Sequence, residues 1–110
     1  MTAKMAVVAH GGAGSGPARQ TNLQVAVDVA SKLLLSGASA VEAAVEACVI
    51  LEDDPVFNAG TGGVFRIDGS VLLDASIQTS DGRLGFVIAM KETPNPIRVA
   101  ADLLDHNING

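Results

Sequence analysis

The 110-residue sequence has no tryptophan, no tyrosine, three phenylalanines and a single cysteine. Without Trp or Tyr it lacks the usual anchors of an aromatic-rich binding surface. Its 48% hydrophobic content must instead build a core from Ala, Val, Leu and Ile, which suits a layered α/β protein. One cysteine excludes an internal disulfide and a cysteine zinc site, and Cys48 lies in an apolar, helix-patterned run, the setting of a buried structural thiol. Positive charge is also scarce: seven Lys and Arg, scattered along the chain, face twelve Asp and Glu, for a net charge of −5. That balance argues against a nucleic-acid partner, which needs clustered cations along a phosphate backbone. The apolar run Met5–Ala9 is too short for a signal-peptide core or a membrane span of about 20 residues, so a soluble, cytoplasmic protein is expected.

Periodicity organises what is present. Met5–Ala9 reads as a buried strand leading into the glycine-rich segment Gly11–Gly16. From Thr21 to Ser36 the apolar residues Leu23, Ala26, Val27, Ala30, Leu33 and Leu34 recur at helical spacing, with Gly37 as a C-terminal cap. A second helix starts at Ser39, whose pairing with Glu42 is a capping box, and shows Val41, Ala44, Val45, Cys48 and Val49 along one face. Asp68-Gly69 predicts an antiparallel hairpin between Val64–Ile67 and Ser70–Ile77. Leu84–Met90 would add a third strand to this meander. Asn95-Pro96 then offers an N-cap and first-turn proline for a last helix carrying Ile97, Ala100, Ala101 and Leu104. No repeat, low-complexity tract or linker divides the chain, and no second domain is expected.

The segment from Glu52 to Phe65 concentrates special backbone. Pro55 fixes its entry, Asn58 offers a side-chain amide, and Gly60, Gly62 and Gly63 permit positive φ or close approach. Several chemistries compete for such residues. Gly11–Gly16, between a strand and a helix, could cradle a phosphate, but Pro17 stands where a dinucleotide fingerprint needs its third glycine and no P-loop Gly-Lys-Ser/Thr occurs. A close-packed backbone loop is the plainer reading. His10 could act as a base, yet no Ser-His-Asp or Cys-His arrangement supports it, since Ser15, Ser76 and Ser80 lack a nucleophile elbow; a His10 bonded to backbone is favoured. Glu52, Asp53 and Asp54 could gather around a hard cation or form a solvated helix end. Asn58 could orient a neighbouring amine or bond its own turn. Asp74 presents the same alternatives and is read as structural.

Three segments, His10-Gly11-Gly12-Ala13-Gly14, Glu52–Phe65 and Leu73-Asp74-Ala75-Ser76, together resemble the plant-type L-asparaginase and isoaspartyl peptidase family of N-terminal nucleophile hydrolases, over nearly the whole chain. The resemblance implies a four-layer αββα sandwich, of which residues 1–110 would form a single partial domain matching the α-subunit, with one helix layer and part of the sheets. It implies that Gly11 and Gly12 neighbour the active site and that Asn58 helps position a nucleophilic threonine. It further implies a structural sodium ion held by the backbone carbonyls of Leu51, Glu52, Asp54, Phe57, Ala59 and Thr61, and no organic cofactor.

That family exposes its nucleophile by autoproteolysis before a threonine, whose own α-amino group then serves as base. Thr2, Thr21, Thr61, Thr79 and Thr93 are the threonines of this chain, and none stands in the expected Gly-Thr-Val-Gly context. Thr2 follows Met1 and precedes an expected strand, but the family's nucleophile begins a different, later strand. The oxyanion-hole threonine and glycine, and the substrate-gripping arginine and aspartate, likewise belong to the family's second subunit. The expectation is therefore an α-subunit or N-terminal part of an enzyme that hydrolyses L-asparagine and β-aspartyl peptides, inactive without a threonine-bearing β-subunit and assembled with it as an (αβ)2 heterotetramer. A non-catalytic binding or regulatory module, and a small α/β domain binding a phosphorylated ligand at the glycine loop, are the alternatives.

Overall fold

A computed structural model describes residues 4–14 and 16–106. It contains helix α1 (Gln20–Leu35), helix α2 (Ala40–Asp53), strands β1 (Leu73–Gln78) and β2 (Leu84–Met90), and helix α3 (Pro96–His106). Single 3₁₀ turns occupy Pro17–Arg19 and Gly60–Gly62. The result is a mixed α/β arrangement in which helices pack on one face of a two-stranded antiparallel sheet. Thr2 and Ser15 lie outside the described residues.

Local chemistry fixes the junction between α1 and α2. Gly37 adopts φ +98°, open to glycine at no steric cost, and its N–H donates to the Leu34 carbonyl while Ala38 N–H donates to that of Leu33. This double closure is a Schellman motif. Two residues later the capping box forms as the sequence predicts, Glu42 N–H donating to Ser39 Oγ at 3.1 Å and Ser39 N–H to Glu42 Oε2 at 3.0 Å. The two helices then meet along a seam of buried alanines, Ala26 and Ala30 from α1 against Ala43 and Ala47 from α2. Small side chains allow the helix axes to approach closely. The other buried side of α2 carries Val45, which joins Ile77 of β1 and Ile97, Ala100 and Leu104 of α3 in a second cluster. Ala44, expected on the inward face, is exposed because α2 buries two faces and Ala43 occupies the one toward α1.

The strand assignments need three corrections. Met5–Ala9 is not a buried strand: no described segment pairs with it, and its residues are exposed or half-buried, Val7 alone packing toward the alanine seam. Val64–Ile67 forms no ladder either. The Asp68-Gly69 turn does close, with Gly69 N–H donating to the Arg66 carbonyl and Arg66 N–H to that of Ser70, but Val64, Phe65 and Ile67 remain exposed. Pairing goes instead to the next turn, Thr79–Arg83, so the three-stranded meander becomes the hairpin β1–β2. A turn signal specifies the reversal locally, whereas a ladder also needs a face to bury, and here Ala75, Ile77 and Val87 of β1 and β2 pack into the cluster with the helices.

The register of that hairpin skips between Leu73 and Ala75, where β2 carries one extra residue. Ala89 takes φ +56° in this bulge, and its N–H donates to Asp74 Oδ1 at 2.8 Å. Asp74 is thus structural, as expected. The outer face of β2 presents Leu84, Phe86 and Ile88, all more than half exposed. On the inner face, a Cβ added to Gly85 would strike the carbonyl oxygen of Ala100 in α3. Gly85→Ala should therefore force α3 off the sheet and lower stability by about 1–3 kcal/mol, measured as a fall in the thermal or denaturant midpoint; an unchanged midpoint would show that α3 docks more loosely than this contact requires.

Candidate functional site

The loop after α2 is built by close backbone approaches. A Cβ on Gly60 would collide with the carbonyl oxygen of Glu52, and one on Gly62 with that of Phe57 while lying 2.5 Å from that of Pro55. Glycine is required at both positions because the turn folds back onto the carbonyls of the chain that precedes it. Phe57 is buried, and its N–H donates to the Asp54 carbonyl at 3.2 Å, while Gly62 N–H donates to the Ala59 carbonyl at 3.1 Å.

The three neighbouring carboxylates do not converge, which overturns the acidic cation cage, and only Asp53 keeps the exposure of a solvated helix end. Glu52 is only 6% exposed. Its Oε2 accepts the Ile97 N–H at 3.1 Å, satisfying an orphan donor in the first turn of α3, and its Oε1 accepts from the Asn95 amide at 3.2 Å. Asp53 Oδ1 accepts from the same amide at 3.0 Å. Asp54 faces the other way: Oδ2 accepts from the Asn22 amide at 2.9 Å and Oδ1 from the Val56 N–H at 3.1 Å. Among the described residues, no group of three or more metal-ligating side chains gathers at one point.

Backbone oxygens remain as donors. The carbonyls of Leu51 and Glu52 lie in the last turn of α2, where helical carbonyls lack intrahelical donors and carry the negative end of the dipole. Glu52's carbonyl is turned against Gly60 and Phe57's against Gly62. Neutral oxygens in this setting suit a hard cation in kind.

Gly11, Gly12, Ala13 and Gly14 share a cleft of about 330 Å³ with Arg19, Pro55, Phe57, Asn58 and Gly62. The structure thus brings Gly11, Gly12 and Asn58 together from segments more than 40 positions apart. Asn58 is exposed there and makes no side-chain hydrogen bond to another described residue, unlike an Asn spent on its own turn. His10 accepts the Gly12 N–H on Nδ1 at 2.9 Å, the backbone role favoured for it. Thr61 is exposed and Ala59 half-buried beside the cleft. Cys48 is half-buried against the second core cluster, where burial and then the nearby Glu52 charge push its thiol up from the ordinary value.

Residues to which the sequence assigned no part in this loop complete the surroundings. Arg19 donates through Nη1 to the Val56 carbonyl, and Asn22, one helical turn on, holds Asp54. Asn95 bridges Glu52 and Asp53. Only Asn95 had a visible signal, its place before Pro96; nothing local ties Arg19 or Asn22 to a loop more than 30 residues away.

Desolvation raises the Glu52 carboxyl above its ordinary value, opposed by the hydrogen bonds from Asn95 and Ile97, with Asp53 adding to the rise and Arg98 countering it. A raised folded value means that the folded state holds the proton more tightly. This titration therefore contributes stability fully below the unfolded value of about 4.3 and loses it as pH rises through the raised one. Glu52→Gln should remove that slope, so that wild type gains stability relative to the variant as pH falls from neutrality toward that value, read by denaturant unfolding across the range. A parallel pair of curves would show that Glu52 titrates normally. Glu52→Ala, which leaves the Ile97 N–H unpaired, should cost about 1–3 kcal/mol at neutral pH.

The family model described as asparaginase matches residues 3–109. An isoaspartyl peptidase/L-asparaginase from Nostoc sp. is 43% identical over 103 residues, covering 86% of this chain and 32% of the relative. The protein of the same name from Macaca fascicularis is 43% identical over 102 residues, covering 86% and 33%. A plant-type L-asparaginase from Pyrococcus horikoshii is 39% identical over 108 residues, covering 92% and 35%. The chain spans about a third of the length of the curated relatives it matches. Among the described residues no helix is long and apolar enough to cross a membrane.

Proposed function

The chain belongs to the asparaginase family, and from that premise we propose that it is the α-subunit-like part of an amidohydrolase acting on L-asparagine and β-aspartyl peptides. The observation that carries the reading is the cleft in which Gly11, Gly12 and Asn58 meet. In this reading a second polypeptide segment inserts an N-terminal threonine beside Asn58. The threonine hydroxyl attacks the substrate carbonyl while its α-amino group takes the proton; ammonia or the peptide amine leaves, and water hydrolyses the resulting ester. Asn58 accepts a hydrogen bond from the amino group and so fixes its lone pair toward the hydroxyl. The glycine segment lets backbone come close without side chains filling the space.

The same reading assigns the carbonyls of Leu51, Glu52, Asp54, Phe57, Ala59 and Thr61 to a structural sodium ion that stiffens the loop. Hard oxygen donors around a glycine-turned loop support it. Helices α1–α3 would form one outer layer of the four-layer sandwich and the hairpin part of a sheet, with Leu84, Phe86 and Ile88 facing the second sheet. The threonine-bearing chain is thereby both catalytic partner and cover for an apolar face, in an (αβ)2 assembly located in the cytoplasm.

Pairing is the test. This chain alone should release no ammonia from L-asparagine, and adding a complementary threonine-bearing chain should restore the reaction on both substrate classes. Asn58→Ala should then lower kcat by about 10²-fold while leaving the assembly intact. Turnover by the chain alone, or none with any complementary chain, would overturn the assignment, and stabilisation by phosphate compounds without turnover would favour a ligand-binding domain instead.

A further inference from the structure

Two residues before Asn58, the backbone of Val56 is gripped on both sides. Its N–H donates to Asp54 Oδ1 at 3.1 Å and its carbonyl accepts from the Arg19 guanidinium. Asp54 is itself fixed, since its other oxygen accepts from the Asn22 amide at 2.9 Å. Arg19 ends the 3₁₀ turn that leads into α1, and Asn22 lies three positions on in the first turn of α1 itself. Helix α1 is in turn locked onto α2 by the alanine seam, so the turn that holds the loop is part of the rigid frame. Arg19 also lines the cleft beside Gly11–Gly14 and Asn58, and is the cation of that lining.

We propose that Arg19 and Asn22 form a positioning clamp which, through Val56 and Asp54, sets the place of Asn58 in the cleft. The inference rests on the reading of Asn58 given above, and adds the residues that aim it. The geometry differs from a simple surface tether. A tether needs one contact, whereas here both hydrogen-bonding groups of one peptide residue are held, which removes rotation of the segment as well as its displacement. Pro55 restricts the preceding φ, and the buried Phe57 ring anchors the following residue. Asn58, directly after the buried Phe57, is exposed in the cleft, and an amide that must meet a reacting group gains from a support with little remaining freedom.

Breaking and restoring the clamp in the purified protein decides the matter, with amide hydrogen exchange at Val56 and Phe57 as the first readout. Arg19→Gln and Asn22→Asp should each speed exchange there by about fivefold or more, the loss of one hydrogen bond. Asn22→Asp places two carboxylates together; the exchanged pair Asn22→Asp with Asp54→Asn restores a carboxylate–amide contact and should return exchange close to wild type. In an active assembly the same single variants should lower kcat by about tenfold with KM nearly unchanged, and the exchanged pair should recover it. Unaltered exchange in both single variants, or unaltered kcat where exchange has risen, overturns the clamp. Should no assembly hydrolyse an amide, the function proposed above fails while exchange still judges the clamp.

Discussion

A buried carboxylate holds this structure together at the point where its two halves meet. Glu52 lies in the last turn of the helix that leads into the loop, yet its side chain satisfies the first turn of α3, and its own carbonyl lies against Gly60. One residue therefore fixes the end of α2, the start of α3 and the fold-back of the loop. Taking a charged group out of water is costly, and it persists only because Ile97 and Asn95 donate to it. The alanine seam places α1 and the Val45–Ile97–Leu104 cluster places α3, but the loop inherits its position from Glu52.

The loop is consequently held from two sides by two acidic residues with opposite allegiances. Glu52 looks inward to α3, while Asp54 looks outward to α1 and its own Val56. Between them the backbone must reverse within a few residues, which explains why Gly60 and Gly62 have no room for a side chain. Gly11, Gly12, Gly14 and Gly62 line the cleft beyond, with Arg19 and Asn58 as its polar side chains.

Legibility in the sequence followed the range of the determining interaction. Both caps around Gly37 and Ser39, the helices they bound, the extent of Leu84–Met90 and the start of α3 at Pro96 are written in neighbouring residues, and each is found where the pattern puts it. Met5–Ala9 and Val64–Ile67 carry strand composition but lack a paired neighbour, so composition alone misled. At the site, the gathering of Gly11, Gly12 and Asn58 was suggested only by family resemblance. The carboxylates were misread because side-chain partners 32 to 45 positions distant decide whether an acid is solvated, caging or capping. Arg19 left no trace in any local pattern.

The two-residue link between the Schellman motif and the capping box has a topological meaning as well. Ala30 and Ala43 lie near each other along the chain, so closing the helical hairpin sacrifices little chain entropy and needs no strand to be present. The Glu52–Ile97 bond spans 45 positions, with β1 and β2 between its ends, so closing it costs more chain entropy. By that measure the helical pair is the local unit of the fold, and the burial of the Glu52 carboxylate is its long-range closure.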